Sequence, residues 1–200
     1  MQFTWVDYSP IYEDEIETWN TDELTLKYAI DKGIKDEHLY YITEDDYIHN
    51  ESYFCKVVLE QEKIVAVIFL LGDEKHPLGI NPIIVNPALR NQGYCGKIIK
   101  ELIAHTAEII QKEKYVFSAG IDSDNIASIR AFEKIGFKLT DMHPGGDFCY
   151  YHYEKSAPPE MDAQIKEIWA VYAQEMEKIY VTEGTFFDCN IRRADTKYTY

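Results

Sequence analysis

Arg90-Asn91-Gln92-Gly93-Tyr94-Cys95-Gly96-Lys97 is the stretch that decides how this chain is read. It follows the apolar run Leu78–Val85 and leads into a segment in which Ile98, Ile99, Leu102, Ile103, Ala107 and Ile110 recur at three- and four-residue spacing. That pattern predicts a strand, a glycine-bearing turn, and one amphipathic helix from Gly93 to Gln111. A helix start leaves its first amide N–H groups without partners, at the positive end of its dipole. Glycines there let the backbone approach an anion closely, and Arg90 and Lys97 add charge. The spacings GxGxxG and GxxxxGK[ST] are both absent, so neither of the two commonest phosphate loops is present.

Charge supports an anion at this place. The chain carries 20 Lys and Arg against 35 Asp and Glu, a formal net charge of −15, which disfavours nucleic acid and anionic membrane as partners. Residues 75–100 nevertheless contain no acid at all, while holding Lys75, Arg90, Lys97 and Lys100. Between Asp7 and Glu51 the balance reverses, with fourteen acids and three lysines. An acidic surface of this kind attracts a cation.

Two hundred residues can bury a sizeable core in one large domain, or in one ordinary domain with an appendage. Cys55, Cys95, Cys149 and Cys189 form no metal-binding spacing, and reduced thiols in the cytoplasm with no metal are expected. No basic-then-apolar leader opens the sequence, and no apolar run approaches the length that spans a bilayer.

Around the central stretch the elements alternate. Ile16, Trp19, Leu24, Leu26, Tyr28 and Ile30 predict one or two short helices, with Thr21 capping the second and Leu24 turned inward. The polar, acidic segment from Asp31 to Ser52 reads as loop. Tyr53–Glu60 and Lys63–Leu71 read as strands joined by a tight turn at Gln61-Glu62, and Pro82 marks a bulge or splay in the next strand. Tyr115–Ile121 reads as strand and Asn125–Ile135 as helix, ended by Gly136. Phe137–Leu139 and Phe148–Glu154 close the sheet, with Gly145-Gly146-Asp147 as a turn between them. Ser156-Ala157-Pro158-Pro159 marks a boundary. Beyond it Ile165, Ile168, Trp169, Tyr172, Met176 and Ile179 stripe a helix of about five turns, which covers either its own domain or a second subunit. The expected division is therefore residues 1–155 as one domain, with 156–200 as a C-terminal helix and aromatic tail.

Arg90-x-x-Gly93-x-Cys95-Gly96, after Val85-Asn86-Pro87, resembles the acetyl-CoA motif of the GNAT superfamily of N-acetyltransferases. Asn125-x-x-Ser128-x-x-Ala131-Phe132-Glu133-Lys134-x-Gly136-Phe137 resembles the second signature of the same family. The two in order are far more specific than either alone. The resemblance implies a mixed, mostly antiparallel central sheet of six or seven strands flanked by helices, an α/β (α+β) fold with a C-terminal helical extension. It implies acetyl-CoA as co-substrate and direct attack by a primary amine in a ternary complex. Ile83, Ile84 and Val85 would pair with the pantetheine arm through their backbone. The amides of Gln92, Gly93, Tyr94, Cys95, Gly96 and Lys97, with Arg90 and Asn91 at the entry, would hold the diphosphate. Asn125, Ser128 and Phe132 would line the pantetheine and thiol.

Two positions depart from the family pattern. Cys95 stands where glycine or alanine is usual, and Phe132 where many members carry a tyrosine that protonates the leaving thiolate. Tyr150, Tyr151 and Tyr153 are the substitute acids, with Tyr151 chosen. A protonated amine needs a base, for which Glu60, Asp73, His76, Asp122 and Asp124 are candidates and Asp122 ranks first. The empty tyrosine position also raises an alternative, a catalytically silent acyl-CoA-binding or regulatory module. The expected partner is a small cationic amine or a peptide amine, and a homodimer is left open.

Overall fold

The computed structural model describes residues 1–29, 53–143 and 146–183. They fall into two compact units, Met1–Leu71 with Ile80–Lys112, and Gly72–Gly79 with Glu113–Tyr200. The fold is mixed α/β, with seven strands among the described residues, antiparallel pairing predominant, and a long C-terminal helix, as the sequence led one to expect.

In the first unit β1 (Thr4–Asp7), β2 (Tyr53–Glu60), β3 (Lys63–Leu71) and β4 (Leu78–Val85, from Ile80 on) lie side by side in that order. The turn between β2 and β3 places Gln61 and Glu62 at φ 49° and 67°, the left-handed pair that matches strand twist in a two-residue hairpin. Every residue from Ile64 to Leu70 is buried. Val67 and Phe69 join Ile16, Trp19, Val57 and Ile84 in one cluster. Alternation sends Ile68 and Leu70 to the opposite face, where they too are fully buried. A strand covered on both faces has no use for polar alternation, which is why β3 reads as an unbroken apolar run.

The N-terminal helices are α1 (Glu13–Glu17) and α2 (Glu23–Tyr28), joined by a 3-10 turn over Thr18–Thr21. Thr21 does not cap α2. Asp22 does, its Oδ2 accepting the Thr25 N–H at 2.8 Å. Leu24 is not turned inward either: it is 50% exposed, and α2 buries Thr25 instead. Polar bonding of the threonine, described below, sets that face rather than apolar period. Ile30 and the expected loop over residues 31–52 lie outside the described residues.

The single helix expected from Gly93 to Gln111 is two, α3 (Tyr94–Ala104) and α4 (Thr106–Ile110). His105 leaves helical geometry at φ −127°, ψ 31°. Its N–H still reaches Glu101 O at 3.0 Å, while its carbonyl begins α4 by accepting from Glu108 and Ile109. The break rotates the buried stripe, so that Thr106 and Ile109 turn inward and the predicted Ala107 is exposed. No proline or glycine announces it.

In the second unit β7 (Phe148–Glu154) lies between β5 (Val116–Asp122) and β6 (Lys138–Met142), antiparallel to both. α5 (Ile126–Ile135) ends at Gly136, whose φ of 116° supplies the expected left-handed cap. α6 (Asp162–Glu183) runs 22 residues, about six turns rather than five. Its predicted stripe covers this same unit: Ile165, Ile168 and Trp169 pack with Val116, flanked by Tyr115, Met161 and Tyr172. The Trp169 indole N–H donates to Glu154 at 3.0 Å, and the buried His152 ring meets Trp169 and Tyr172 edge-on, with centroids 4.8 Å away in each case. The β3–β4 connection is fastened here as well. Buried Lys114 donates to the carbonyls of Asp73 and His76, and His76 bridges Asp73 at 2.6 Å and Glu175 of α6 at 3.2 Å. The side chain of Ile179, the turn residue Gly145 and the aromatic tail over residues 184–200 are outside the described residues. No helix among those described is long and apolar enough to cross a membrane.

Candidate functional site

The junction after β4 is built by short-range bonds. Asn86 anchors the strand end: its backbone N–H reaches Val65 O at 2.9 Å and its side-chain amide reaches Ile64 O at 3.1 Å. Its Oδ1 then accepts the Ala88 N–H at 3.0 Å, opening a 3-10 turn over Pro87–Leu89. An Asn-Pro pair suits this, since the side chain can cap while proline presets the next residue. Asn91 and Gly93 follow in left-handed conformation, at φ 60° and 80°. Gly93 is the N-cap of α3, and no side chain caps that helix. The first bond of the helix runs from Lys97 N–H to Gly93 O at 3.1 Å. Tyr94, Cys95 and Gly96 therefore present the orphan amides that every helix start leaves.

The glycines of this turn are uncrowded on their side-chain side. A Cβ added at Gly93 or Gly96 would meet no heavy atom within 4 Å. Asn91, Gln92, Gly93 and Lys97 are exposed, and Tyr94, Cys95 and Gly96 are half-buried. The Tyr94 hydroxyl donates to Glu60 at 2.6 Å, which raises the phenol and lowers the carboxyl, and the Lys97 ammonium lies 5.0 Å from the centre of the Tyr94 ring. Burial pushes the Cys95 thiol up to about 12, so no thiolate is available there at neutral pH. On β4, Ile84 is buried in the core, while Ile83 and Val85 are half-buried.

Arg90 is placed differently from Lys97. Its guanidinium turns to α2, donating to Asp22 Oδ2 and, at 2.6 Å, to Thr25 Oγ1. Burial would raise the Asp22 carboxyl, but bonds from Thr25 and Arg90 outweigh it and hold the group below its ordinary value.

The second unit holds the other named residues. β5 ends at half-buried Asp122, in register with Phe148. The Ser123 N–H reaches Asp147 O at 2.8 Å and the Asn125 N–H reaches Asp122 O at 2.9 Å, a turn that sets Asn125 as N-cap of α5. Asn125 Oδ1 accepts the Ser128 N–H at 3.2 Å. Gly120 is required beside this turn: a Cβ there would lie 2.3 Å from Phe148 Cε1, so the phenylalanine ring rests on bare backbone next to Asp122. Tyr150 meets that ring edge-on at 5.5 Å.

Phe132 is 3% exposed and packs edge-on against Phe137 at 4.9 Å. Tyr151 is also buried, its hydroxyl donating weakly to Glu133 at 3.4 Å, and burial followed by the Glu133 charge pushes its phenol up to about 12. Of the candidate bases, Glu60 is engaged by Tyr94 and Gln2, and Asp73 by His76 and the Lys75 N–H. Burial would lower the His76 imidazole, but its two carboxylate partners raise it, which favours the charged ring. Asp124 is exposed at the turn before α5.

Sequence reasoning passed over Asn86 as an anchor, Asp22 and Thr25 as partners of Arg90, and Gly120. Only the first two carry a local signal, Asn-Pro and an Asp three residues before a threonine. The Arg90 contact and the seat of Phe148 join positions far apart in the chain.

The fold has counterparts among solved structures. Spermidine N-acetyltransferase from Vibrio cholerae, in complex with CoA and spermine, superposes with a TM-score of 0.63 at 14% identity, over 76% of this chain and 95% of that one. The N-acetyltransferase PseH of Campylobacter jejuni gives 0.57 at 16%, over 78% and 100%. A second PseH structure, with acetyl coenzyme A, gives 0.55 at 16%, over 77% and 99%. No curated protein matches the sequence. These likenesses establish the fold. Residues 9–137 match the acetyltransferase (GNAT) family, and the chain belongs to it. It is accordingly an acetyltransferase with acetyl-CoA as co-substrate.

Proposed function

We propose that this enzyme transfers the acetyl group of acetyl-CoA to a primary amine of a small, cationic acceptor. The observation that carries the reading is the start of α3, which no side chain caps and whose glycines, Gly93 and Gly96, have nothing within 4 Å of an added Cβ. Amides at a helix start suit the diphosphate of coenzyme A. Ile83, Ile84 and Val85 would meet the pantetheine arm with their backbone groups, and Asn125 and Ser128 would serve the same cofactor from the start of α5. Phe132 supplies packing rather than a proton.

For the chemistry, the acceptor must lose a proton, since an alkylamine has a pKa of about 10.4. Asp122 is assigned as the base or the head of a water chain. The lone pair of the neutral amine attacks the thioester carbonyl, the C–S bond breaks, the nitrogen gives up its second proton to water, and the thiolate takes up a proton. Tyr151, neutral at all physiological pH, is assigned as its donor.

A cationic acceptor is supported by the net charge of −15 and by the carboxylate of Asp122 at the end of β5, opposite Phe148 in strand register. The fold match to a spermidine N-acetyltransferase points the same way. The test is a thiol-release assay with acetyl-CoA and a panel of spermidine, an aminoglycoside, a lysine peptide and a neutral amino sugar. Release with the polycations and little with the neutral sugar is expected. Release with none of the four would overturn the reading.

A further inference from the structure

We propose that Asp22 is a positioning residue for acetyl-CoA, acting through Arg90; this rests on the assignment of the α3 start to the CoA diphosphate. The charged residue at the head of the loop looks from sequence like a phosphate ligand. In the fold its charge is already balanced. Arg90 Nη1 donates to Asp22 Oδ2, Arg90 Nη2 donates to Thr25 Oγ1 at 2.6 Å, and Thr25 Oγ1 donates to the same Asp22 Oδ2 at 3.1 Å. The three groups close a ring of directed bonds, and the Thr25 N–H adds a fourth contact to Asp22 at 2.8 Å.

The ring is well shielded. Thr25 is 2% exposed, and the side chains of Arg90 and Asp22 are 21% and 27% exposed. A planar fork that must satisfy two acceptors at fixed angles has little freedom. Arg90 is also where the backbone leaves the 3-10 turn, at φ −63° and ψ 158°, one residue before left-handed Asn91 and three before Gly93. Fixing the guanidinium therefore fixes the point from which the loop swings toward α3. The loop's affinity for a diphosphate then comes from backbone amides and the helix dipole, whose value depends on aim. Asp22 supplies the aim from 68 residues away in sequence.

The two roles for Arg90 predict opposite signs. If it were a phosphate ligand held in check by Asp22, then Asp22→Asn would release it and tighten acetyl-CoA. As a positioning pair, Asp22→Asn loosens the loop. Asparagine keeps an oxygen for the Thr25 N–H, so α2 retains its cap.

The experiment measures kcat and KM for acetyl-CoA and for S-acetylpantetheine, which lacks the diphosphate, in wild type, Asp22→Asn, Arg90→Lys, Arg90→Gln and the Asp22→Asn/Arg90→Gln double variant. For Asp22→Asn the KM for acetyl-CoA should rise about five- to tenfold, the usual size of coupling between distinct groups, with kcat at saturation preserved. Arg90→Gln should match it, the double variant should be no worse than either single, and Arg90→Lys should fail to rescue, because a flexible point charge on a single nitrogen does not reproduce the rigid, planar two-nitrogen geometry that aims the loop. With S-acetylpantetheine Asp22→Asn should agree with wild type. An unchanged or lowered KM for acetyl-CoA in Asp22→Asn overturns the inference, and so does wild-type behaviour of Arg90→Lys. If wild type itself handles acetyl-CoA and S-acetylpantetheine with equal KM, the assignment of the loop to the diphosphate fails instead.

Discussion

Phe132→Tyr restores the side chain that many relatives carry at this position, and the structure says what it should cost. The ring is 3% exposed, set edge-on against Phe137 at 4.9 Å, with Phe137 in turn 5.4 Å from Tyr153. A hydroxyl added at the para position of so buried a ring loses water, and the adjoining Phe137 ring offers it no acceptor. An unsatisfied buried hydroxyl costs ~2 kcal/mol. For a chain of this size that is a fall in Tm of about 4–8 °C. Thermal unfolding followed by near-UV circular dichroism reads the fall directly, and the thiol-release assay on the same sample reads turnover. The expected result is a lower Tm with no gain in kcat. An unchanged Tm together with a raised kcat would refute the reasoning, because the hydroxyl would then have reached the thiol it serves in relatives, and Phe132 would border the reaction.

Two further outcomes follow from titratable groups. The His76 imidazole is raised above its ordinary value in the fold by Asp73 and Glu175. Its contribution to stability is therefore complete below the ordinary histidine value of 6.5 and is lost as pH climbs through the raised folded value. The urea-midpoint gap between wild type and His76→Asn should be widest below the ordinary histidine value and should close as pH climbs through the raised one; a gap that widens with pH would contradict the pairing. For Cys95, whose thiol burial holds at about 12, iodoacetamide should modify the folded protein at that position only slowly. Cys95→Ala should leave the KM for acetyl-CoA unchanged, since only the backbone amide is assigned to the cofactor; a large rise would assign the side chain a part.

How much of this was legible in the sequence depends on the range of the interaction that decides each feature. The β2–β3 hairpin, the apolar run of β3, the helix ended by Gly136 and the strand–turn–helix at Arg90–Lys97 are governed by contacts a few residues apart, and their patterns stand in the text of the chain. α2 was misread because its inward residue is a threonine held by an arginine that follows 65 residues later. Hydrophobic period has no access to such a bond. The break at His105 was missed for a related reason, since no helix-breaking residue marks it and the apolar spacing runs straight through. In the candidate site, Gly93, Gly96 and Asn125 announced themselves. The company each side chain keeps, such as Phe148 on Gly120 or Tyr151 beside Glu133, is a property of strand register that single-chain spacing does not encode.

The buried His152 has a practical use. Burial lowers its imidazole to about 3, so the ring stays uncharged across the range in which such a protein is handled. A charged imidazole quenches a neighbouring indole, whereas this one leaves the emission of Trp169 steady. With Trp5 and Trp19 replaced by phenylalanine, the remaining fluorophore reports the seating of the C-terminal helix alone, free of acid-induced drift. The enzyme thereby carries its own optical gauge for the half of the chain that begins at Glu113.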